Sequence, residues 1–382
     1  MTRITTVNTL DYKEIEIIAE QTKSHFYDLE VNNDLTFREY WKTLSGLGIL
    51  DISSNQDSLA TRKLAQIEGL GRSSCPGGLC YAIASQLFGM QMPIRSWLTL
   101  AQAEKLEKLK YGEHILCHAL TEEHGGSDPF EMQTHCHRLP GGGWRLTGQK
   151  KFVTAAPVAD FALVFAKTDQ GRNPFSLSAF LVDLTQPGVS RSKPFAKTVL
   201  KEVPMGELRF DEVNLEPWQI IGEEGSGLSL LAATTTWERA LLMSYALGHM
   251  QVTLNNCVRW ANQRQHFGRR MSQSHQVAAR ISDMAMLTIR SRSLLYDAAR
   301  RIDAGEPVHA LNGFASATKI SISEDFDLFT RHAAQLFGVR AFISDSEYCT
   351  DFAAPAAAKV YAGTNDLLRV GLAHGLGVAV EN

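Results

Sequence analysis

The sequence predicts an α+β multidomain protein: an N-terminal all-α domain, a small middle β domain and a C-terminal bundle of long helices. Helical spacing dominates residues 1–113, a period of two takes over across 114–224, and long helical patterns fill 225–382. A chain of 382 residues has the length for roughly two or three separate cores.

In the first segment, Tyr12-Lys13-Glu14-Ile15-Glu16-Ile17-Ile18-Ala19 mixes charged and apolar positions at helical spacing, and Gly46-Leu47-Gly48-Ile49-Leu50 interrupts the pattern. Residues 77–87, Gly-Gly-Leu-Cys-Tyr-Ala-Ile-Ala-Ser-Gln-Leu, carry too little polarity for a surface helix, so this one is expected to be buried all round. In the middle segment, residues 161–166, 177–182 and 207–210 read as strands, separated by Pro140-Gly141-Gly142-Gly143 and Gln186-Pro187-Gly188. The glycine run lacks dinucleotide-fingerprint spacing and reads as a hairpin turn. Beyond Gly225, helices are expected over 230–264, 277–302 and, after Pro307, 310–337. Each exceeds the typical length of about 12 residues, which points to a bundle.

Composition excludes several function classes. A net charge of -3 and a pI of about 6.5 provide no basic footprint for nucleic acid. No apolar run approaches the roughly 20 residues that span a bilayer, and the start Met1-Thr2-Arg3-Ile4-Thr5-Thr6 lacks a signal-like apolar stretch, so no membrane role and a cytoplasmic location are expected. The six cysteines form no Cys-x-x-Cys pair, and His114, His118 and His124 do not recur at ligand spacing, so no metal site is expected.

The chemistry concentrates in Thr121-Glu122-Glu123-His124-Gly125-Gly126-Ser127-Asp128 and Gly148-Gln149-Lys150-Lys151-Phe152-Val153-Thr154. The first stretch crowds hydroxyls and glycines, which suits backbone that turns sharply and offers N–H groups to an anionic ligand. The second reads as a strand with an aromatic and a hydroxyl sharing one face. Taken alone, either reads first as a polar surface loop or an ordinary core aromatic. Together they match the needs of a planar, phosphate-bearing cofactor such as FAD.

The pair resembles the flavin-binding signature of the acyl-CoA dehydrogenase family. The likeness continues in Asn262-Gln263-Arg264-Gln265-His266-Phe267-Gly268, Gln335-Leu336-Phe337-Gly338 and Tyr361-Ala362-Gly363-Thr364-Asn365-Asp366, in the family's order. The resemblance implies an acyl-CoA dehydrogenase-like fold with a β-barrel or sandwich middle domain and a C-terminal four-helix bundle. It implies FAD as cofactor. Thr154 would bond near flavin N5 and Phe152 cover a ring face, with Val153 between them. Thr121 and Ser127 would hold the ring edge, ribityl chain or pyrophosphate. Arg264 and Phe267, joined by Gln276, Gln335 and Gly338, would reach a neighbouring subunit's FAD, and Thr364 and Asn365 would close the site. Ser127, Arg239 and Ala362 are the expected substrate contacts, the Ala362 N–H and a flavin ribityl hydroxyl polarising a thioester carbonyl. A homodimer or homotetramer and an electron acceptor such as electron-transfer flavoprotein are implied likewise.

Removing hydrogen from the α and β carbons of an acyl thioester needs a base for the α-proton. Many family members place a Glu immediately before the Gly-Thr of the C-terminal motif, where this sequence has Ala362. The family's second solution places it on the first long helix of the bundle, and here Thr234-Thr235-Thr236-Trp237-Glu238-Arg239 puts Glu238 there. Spacings of seven, four and three also set Leu231, Glu238, Leu242 and Tyr245 on one helical face, in an apolar stripe where a charge needs a use or a partner. The plainer alternative is a core ion pair or cap.

Phe152 replaces the usual Trp, Val339 stands where Gly is common, and Ala353-Ala354-Pro355-Ala356 replaces a typical Arg-Asp-Ala-Lys. With Glu238 and Ala362, the sequence is most similar to carrier-protein-linked (prolyl or acyl) dehydrogenases of natural-product biosynthesis. The expected function is FAD-dependent α,β-dehydrogenation of an acyl thioester on acyl carrier protein or CoA. A flavin oxidase or monooxygenase, and a non-catalytic flavin-binding protein, are the alternatives. Arg290, Arg292, Arg300 and Arg301 are candidates for steering an acidic carrier protein, against the reading of a solvated helix face.

Overall fold

The structure is a computed structural model that describes residues 9–29, 35–53, 59–73, 75–126 and 128–379. Its helices are α1 (Thr9–Leu29), α2 (Phe37–Gly46), α3 (Leu59–Arg72), α4 (Gly77–Gln86), the short α5 (Met92–Ile94) and α6 (Leu100–Lys105), α7 (Gly227–Leu241), α8 (Ser244–Gln263), α9 (His275–Asp303), α10 (Val308–Phe337), α11 (Ala353–Ala358) and α12 (Asn365–Gly375). Helical N- and C-terminal regions thus flank a middle β region in sequence. Two compact units form: one from Met1–Glu30, Gln56–Cys80 and Arg239–Asn382, the other from Val31–Asn55 and Tyr81–Glu238. Neither is continuous in sequence, so the units cut across the expected segments 1–113, 114–224 and 225–382.

In the second unit the period-two pattern folds as an eight-stranded sheet ordered β6-β7-β3-β2-β4-β5-β8, with β1 parallel beside β4. The strands are β1 (Leu116–Ala119), β2 (His135–Arg138), β3 (Trp144–Thr154), β4 (Phe161–Lys167), β5 (Leu177–Asp183), β6 (Val189–Arg191), β7 (Met205–Leu215) and β8 (Ile220–Ile221). The path is open, ending at β6 and β8. β4 and β5 are buried at every position but the last, as strands covered on both faces are. Leu163, Phe165, Leu177 and Leu181 pack with Met90, Ile94, Leu230 and Leu231, so the start of α7 is anchored on the sheet. The glycine run is the expected hairpin turn, Leu139 N–H donating to the Gly143 carbonyl at 3.1 Å between β2 and β3.

In the first unit the backbones of α3 and α8 meet. A Cβ on Gly71 would lie 2.1 Å from the Tyr245 carbonyl oxygen, and one on Gly248 2.3 Å from that of Glu68, so only glycine permits this crossing. Beside it, fully buried Glu68 accepts from Arg72, from Arg292 Nη2 at 2.6 Å and from Tyr296 Oη at 2.8 Å, and Arg72 also pairs with Glu16 at 2.9 Å. Burial pushes the Glu68 carboxyl up, but the charges of Arg292 and Arg72 outweigh it and bring it to about 2. Arg292 is therefore a core residue and not a docking charge. Arg290 pairs with Asp325, and Arg300 and Arg301 share Asp297, so these candidate docking charges on α9 are engaged in ion pairs.

One expected helix is two. Residues 230–264 divide into α7 and α8 at Leu242 and Met243, the latter with ψ 5°. The face joining Leu231, Glu238, Leu242 and Tyr245 is thereby broken, because phase is lost across the interruption. Among the described residues no helix is long and apolar enough to cross a membrane.

Glu68 makes stability depend on pH with a definite sign. Its folded value of about 2 lies below the ordinary 4.5, so its contribution is complete above that ordinary value and is lost as pH falls toward 2. A Glu68→Gln variant should lose on the order of 3–5 kcal/mol at neutral pH, because buried Arg292 loses its carboxylate and Arg72 one of its two. Urea denaturation across the acid range should show the gap to wild type narrowing as pH drops; a constant gap would contradict this account.

Candidate active site

The two glycine- and hydroxyl-rich stretches come together in the second unit. Lys151 N–H donates to the Thr121 carbonyl at 2.8 Å, and fully buried Lys150 donates to the Leu120 carbonyl and to Glu122 Oε1, both at 2.9 Å. Glu122 also accepts from Gln133 N at 2.6 Å, Thr134 N at 3.0 Å and Thr134 Oγ1 at 2.6 Å. Burial brings the Lys150 ammonium down to about 8 against the pull of Glu122. Burial raises Glu122, but Lys150 and the three added donors hold its carboxyl below the ordinary value.

This pair braces an irregularity in β3. Register with β7 shifts between Lys150 and Val153, and Phe152 takes φ 60°, a left-handed conformation costly for a non-glycine residue. Such bulges re-aim side chains beside functional sites. Here the Phe152 ring is left 49% exposed, 6.0 Å from the ring of Phe195. The hydroxyls of Thr121 and Thr154 make no hydrogen bond among the described residues. A half-exposed aromatic ring with the Lys151 ammonium 5.4 Å from its centroid, and two hydroxyls that are unbonded among the described residues, fit a flat ring system with a polar, anionic rim, as FAD has. The Val153 side chain is buried in the sheet's core, so a cofactor contact there would come from its backbone. Ser127 lies outside the described residues.

Glu238 stands near the end of α7, half-buried. Ser85 Oγ donates to its Oε1 at 2.9 Å, and a Cβ on Gly89 would come within 3.2 Å of its Cδ and Oε1. Gly89 sits in a π-helical turn, Leu87–Gln91, that prolongs α4. One turn before Glu238, buried Thr234 donates to the Leu231 carbonyl at 3.0 Å and stands 3.3 Å from His118 Nε2. Burial first, then the charge of Lys150, press the His118 imidazolium down to about 4, so that ring is neutral near pH 7.

The remaining expected residues fall in the first unit. Ala362 has φ 54° and Gly363 φ 93°. Arg239 Nε donates to the Ala362 carbonyl at 3.0 Å, and Lys319 Nζ to the Gly363 carbonyl at 2.8 Å. Tyr361 Oη bonds Tyr245 Oη at 2.8 Å. Arg239 is thus a brace for the turn, whereas direct substrate contact was expected of it. The Ala362 N–H makes no hydrogen bond among the described residues. Thr364 caps α12, its Oγ1 accepting from Leu367 N. Asn365 is buried and bonded to Lys319 and Ser323, so its amide is not offered to a ligand. Arg264 ends α8, and Phe267, 90% exposed at φ 51°, forms with Gly268 the tip of a hairpin between Gln265–His266 (β9) and Arg269–Arg270 (β10). Gln276, Gln335 and Gly338 are exposed as well. Among the described residues no cluster of His, Cys, Asp or Glu could hold a metal ion.

Residues 117–213 match the middle domain, and 225–377 the C-terminal domain, of acyl-CoA dehydrogenase. L-prolyl-[peptidyl-carrier protein] dehydrogenase of Serratia sp. (strain ATCC 39006) is 30% identical over 313 residues, spanning 82% of this chain and 80% of that protein. The chain belongs to the acyl-CoA dehydrogenase family. The family's enzymes are FAD-dependent dehydrogenases acting on CH–CH bonds. The corresponding L-prolyl-[peptidyl-carrier protein] dehydrogenase of Pseudomonas fluorescens Pf-5 is 29% identical over 335 residues, 86% of this chain and 87% of that one. The solved FAD complex of PigA superposes with a TM-score of 0.88 at 25% identity, covering 98% of this chain and 100% of PigA.

Ser85, Gly89, Lys319 and the Glu122–Lys150 pair escaped the reading of the sequence as site residues. The only signal for the first two was a serine and a glycine in an otherwise apolar helix. The pair's energetics are testable. Lys150→Met should destabilise the protein by about 3–5 kcal/mol by stranding Glu122, while the Lys150→Met/Glu122→Leu double variant should recover most of the loss. Urea unfolding of the cycle measures this; additive losses would mean the two do not act as a pair.

Proposed function

We propose that this chain dehydrogenates the α and β carbons of an acyl thioester carried on a peptidyl carrier protein, with FAD as cofactor and Glu238 as the α-proton base. The observation that carries the reading is the half-buried Glu238 carboxylate, gripped by Ser85 and overlain by Gly89, in a chain whose other family position for a base is Ala362. An alanine accepts no proton, so the reaction needs its base elsewhere. The prolyl-carrier-protein dehydrogenases among its relatives support a carrier-borne, prolyl-like acyl group over a free CoA ester.

Bound FAD would supply the acceptor for the hydride leaving the β-carbon. Glu238 takes the α-proton. The Ala362 N–H, unbonded among the described residues and on a turn of the first unit pinned by Arg239 and Lys319, would be the donor for a thioester oxygen. Thr121 and Thr154 would hold the ring's polar rim, and Phe152 would lie along its face. Exposed Arg264, Phe267, Gln276, Gln335 and Gly338 suit contact with a second copy's cofactor, which makes the working form a dimer or tetramer. Reoxidation of the bound cofactor would call for an outside electron acceptor such as electron-transfer flavoprotein.

The test is anaerobic bleaching of the bound flavin by a prolyl thioester on holo carrier protein, beside a panel of CoA thioesters. Wild type should bleach with the carrier-bound group. Glu238→Gln should keep its FAD and slow bleaching by at least about 10²-fold. Bleaching at the wild-type rate in that variant would remove Glu238 from the mechanism.

A further inference from the structure

We infer that Ser85 is a positioning residue for Glu238, mounted on a π-helical turn whose Gly89 lets the chain lie directly against the carboxylate. The inference rests on the reading of Glu238 as the base, and deepens it. A base must be held to within about 0.5 Å of its working position, and a glutamate has enough rotatable bonds to need fastening.

The structure supplies two fasteners from one segment. Ser85, in the last turn of α4, donates to Oε1 at 2.9 Å. Four residues on, Gly89 brings its Cα so near that an added methyl would stand 3.2 Å from Cδ and Oε1. The intervening backbone is π-helical from Leu87 to Gln91, and all five residues are buried. π turns hold an extra residue per turn and recur at functional sites.

This turn is clamped, not frayed. Gln86 Nε2 donates to Gln91 Oε1 at 3.2 Å across the turn, and Gln86 Oε1 accepts from Leu116 N–H of β1 at 2.9 Å. The segment carrying the serine and the glycine is thereby tied to the sheet. An ordinary buried helix in a core requires neither a hydroxyl aimed at a carboxylate nor a glycine above it. Both follow if the carboxylate must stay in one place while a substrate comes and goes.

The experiment has two arms. In the first, apo-protein carrying Ser85→Ala, Glu238→Leu or both is unfolded in urea, leucine removing the acceptor oxygen that a glutamine would keep. The single shifts in midpoint should be non-additive if Ser85 holds the carboxylate; additive shifts would overturn the inference without recourse to substrate or cofactor. In the second, FAD-loaded variants are mixed anaerobically with the prolyl carrier-protein thioester and its α-deuterated form. Ser85→Ala should slow bleaching about 10- to 100-fold, as sub-ångström misplacement does, with KM changed less than about twofold. Its α-deuterium isotope effect should rise, because proton removal becomes the slower event. Ser85→Thr, which keeps the hydroxyl, should restore most of the rate, and Gly89→Ala should reproduce the loss with FAD content intact. Wild-type rate and isotope effect in Ser85→Ala, or equal impairment of the Ala and Thr variants, would overturn the assignment. Glu238→Gln run alongside separates the failures: if it still bleaches, the base is misassigned; if it is inert while Ser85→Ala is normal, only the role of Ser85 falls.

Discussion

A carboxylate can lie flush against a helix only where that helix lacks a side chain, and Gly89 is where this one lacks it. A Cβ there would stand 3.2 Å from Cδ and Oε1, so the Glu238 carboxyl would have to shift by about a few tenths of an ångström, and the space at residue 89 and the position of the acid at residue 238 are linked. Much of the second unit serves that constraint. α7 is seated on the sheet through Leu230 and Leu231, the π turn is tied to β1 through Gln86, and the sheet core fixes the distance between them. A half-buried acid with a donor and a backbone against it has little freedom left. That is a condition the proposed base would have to meet.

The same logic of charge held in low dielectric recurs twice. Glu122 and Lys150 weld the two stretches that flank the half-exposed ring of Phe152, and Glu68 gathers Arg72, Arg292 and Tyr296 where α3 and α8 touch through glycine. Neither cluster is an efficient source of net stability, since desolvation offsets much of the attraction. Their value is directional. An ion pair with several fixed donors tolerates one geometry, and the strained backbone at Phe152 needs a neighbour that does not yield.

The layout of the chain was legible because periodicity is local. The change from helical spacing to alternation near residue 114, and the return of long helices near 225, follow from side chains that choose faces every few residues. The α7–α8 break was not legible, since Leu242 and Met243 are good helix formers and no proline or glycine marks the place. Glu238 was readable as a candidate because an acid stands in an apolar context, but its supposed stripe with Leu242 and Tyr245 was an artefact of assuming unbroken phase. Ser85 and Gly89 were invisible for a different reason: their partner lies 153 residues away from Ser85, and no local pattern encodes that meeting. Asn365 and Arg239 sit at positions where the family resemblance implies ligand contacts, yet their side chains are engaged by Lys319 and by the Ala362 carbonyl, partners that only tertiary structure reveals.

Ala362 then has a simpler meaning than loss of function. A residue in that turn can serve through its side chain or through its N–H, and the two are separable. The turn's left-handed backbone is sustained by Arg239 on one carbonyl, Lys319 on the next and the Tyr361–Tyr245 hydroxyl pair before them, and none of these bonds involves the residue 362 side chain. Replacing a carboxylate by a methyl therefore leaves the N–H presented as before. What must be replaced is a proton acceptor, and on the proposed mechanism that acceptor is Glu238 on α7, held by Ser85 beside Gly89. On the proposed mechanism, backbone handles the carbonyl, a helix handles the proton, and the chain has kept the first while relocating the second.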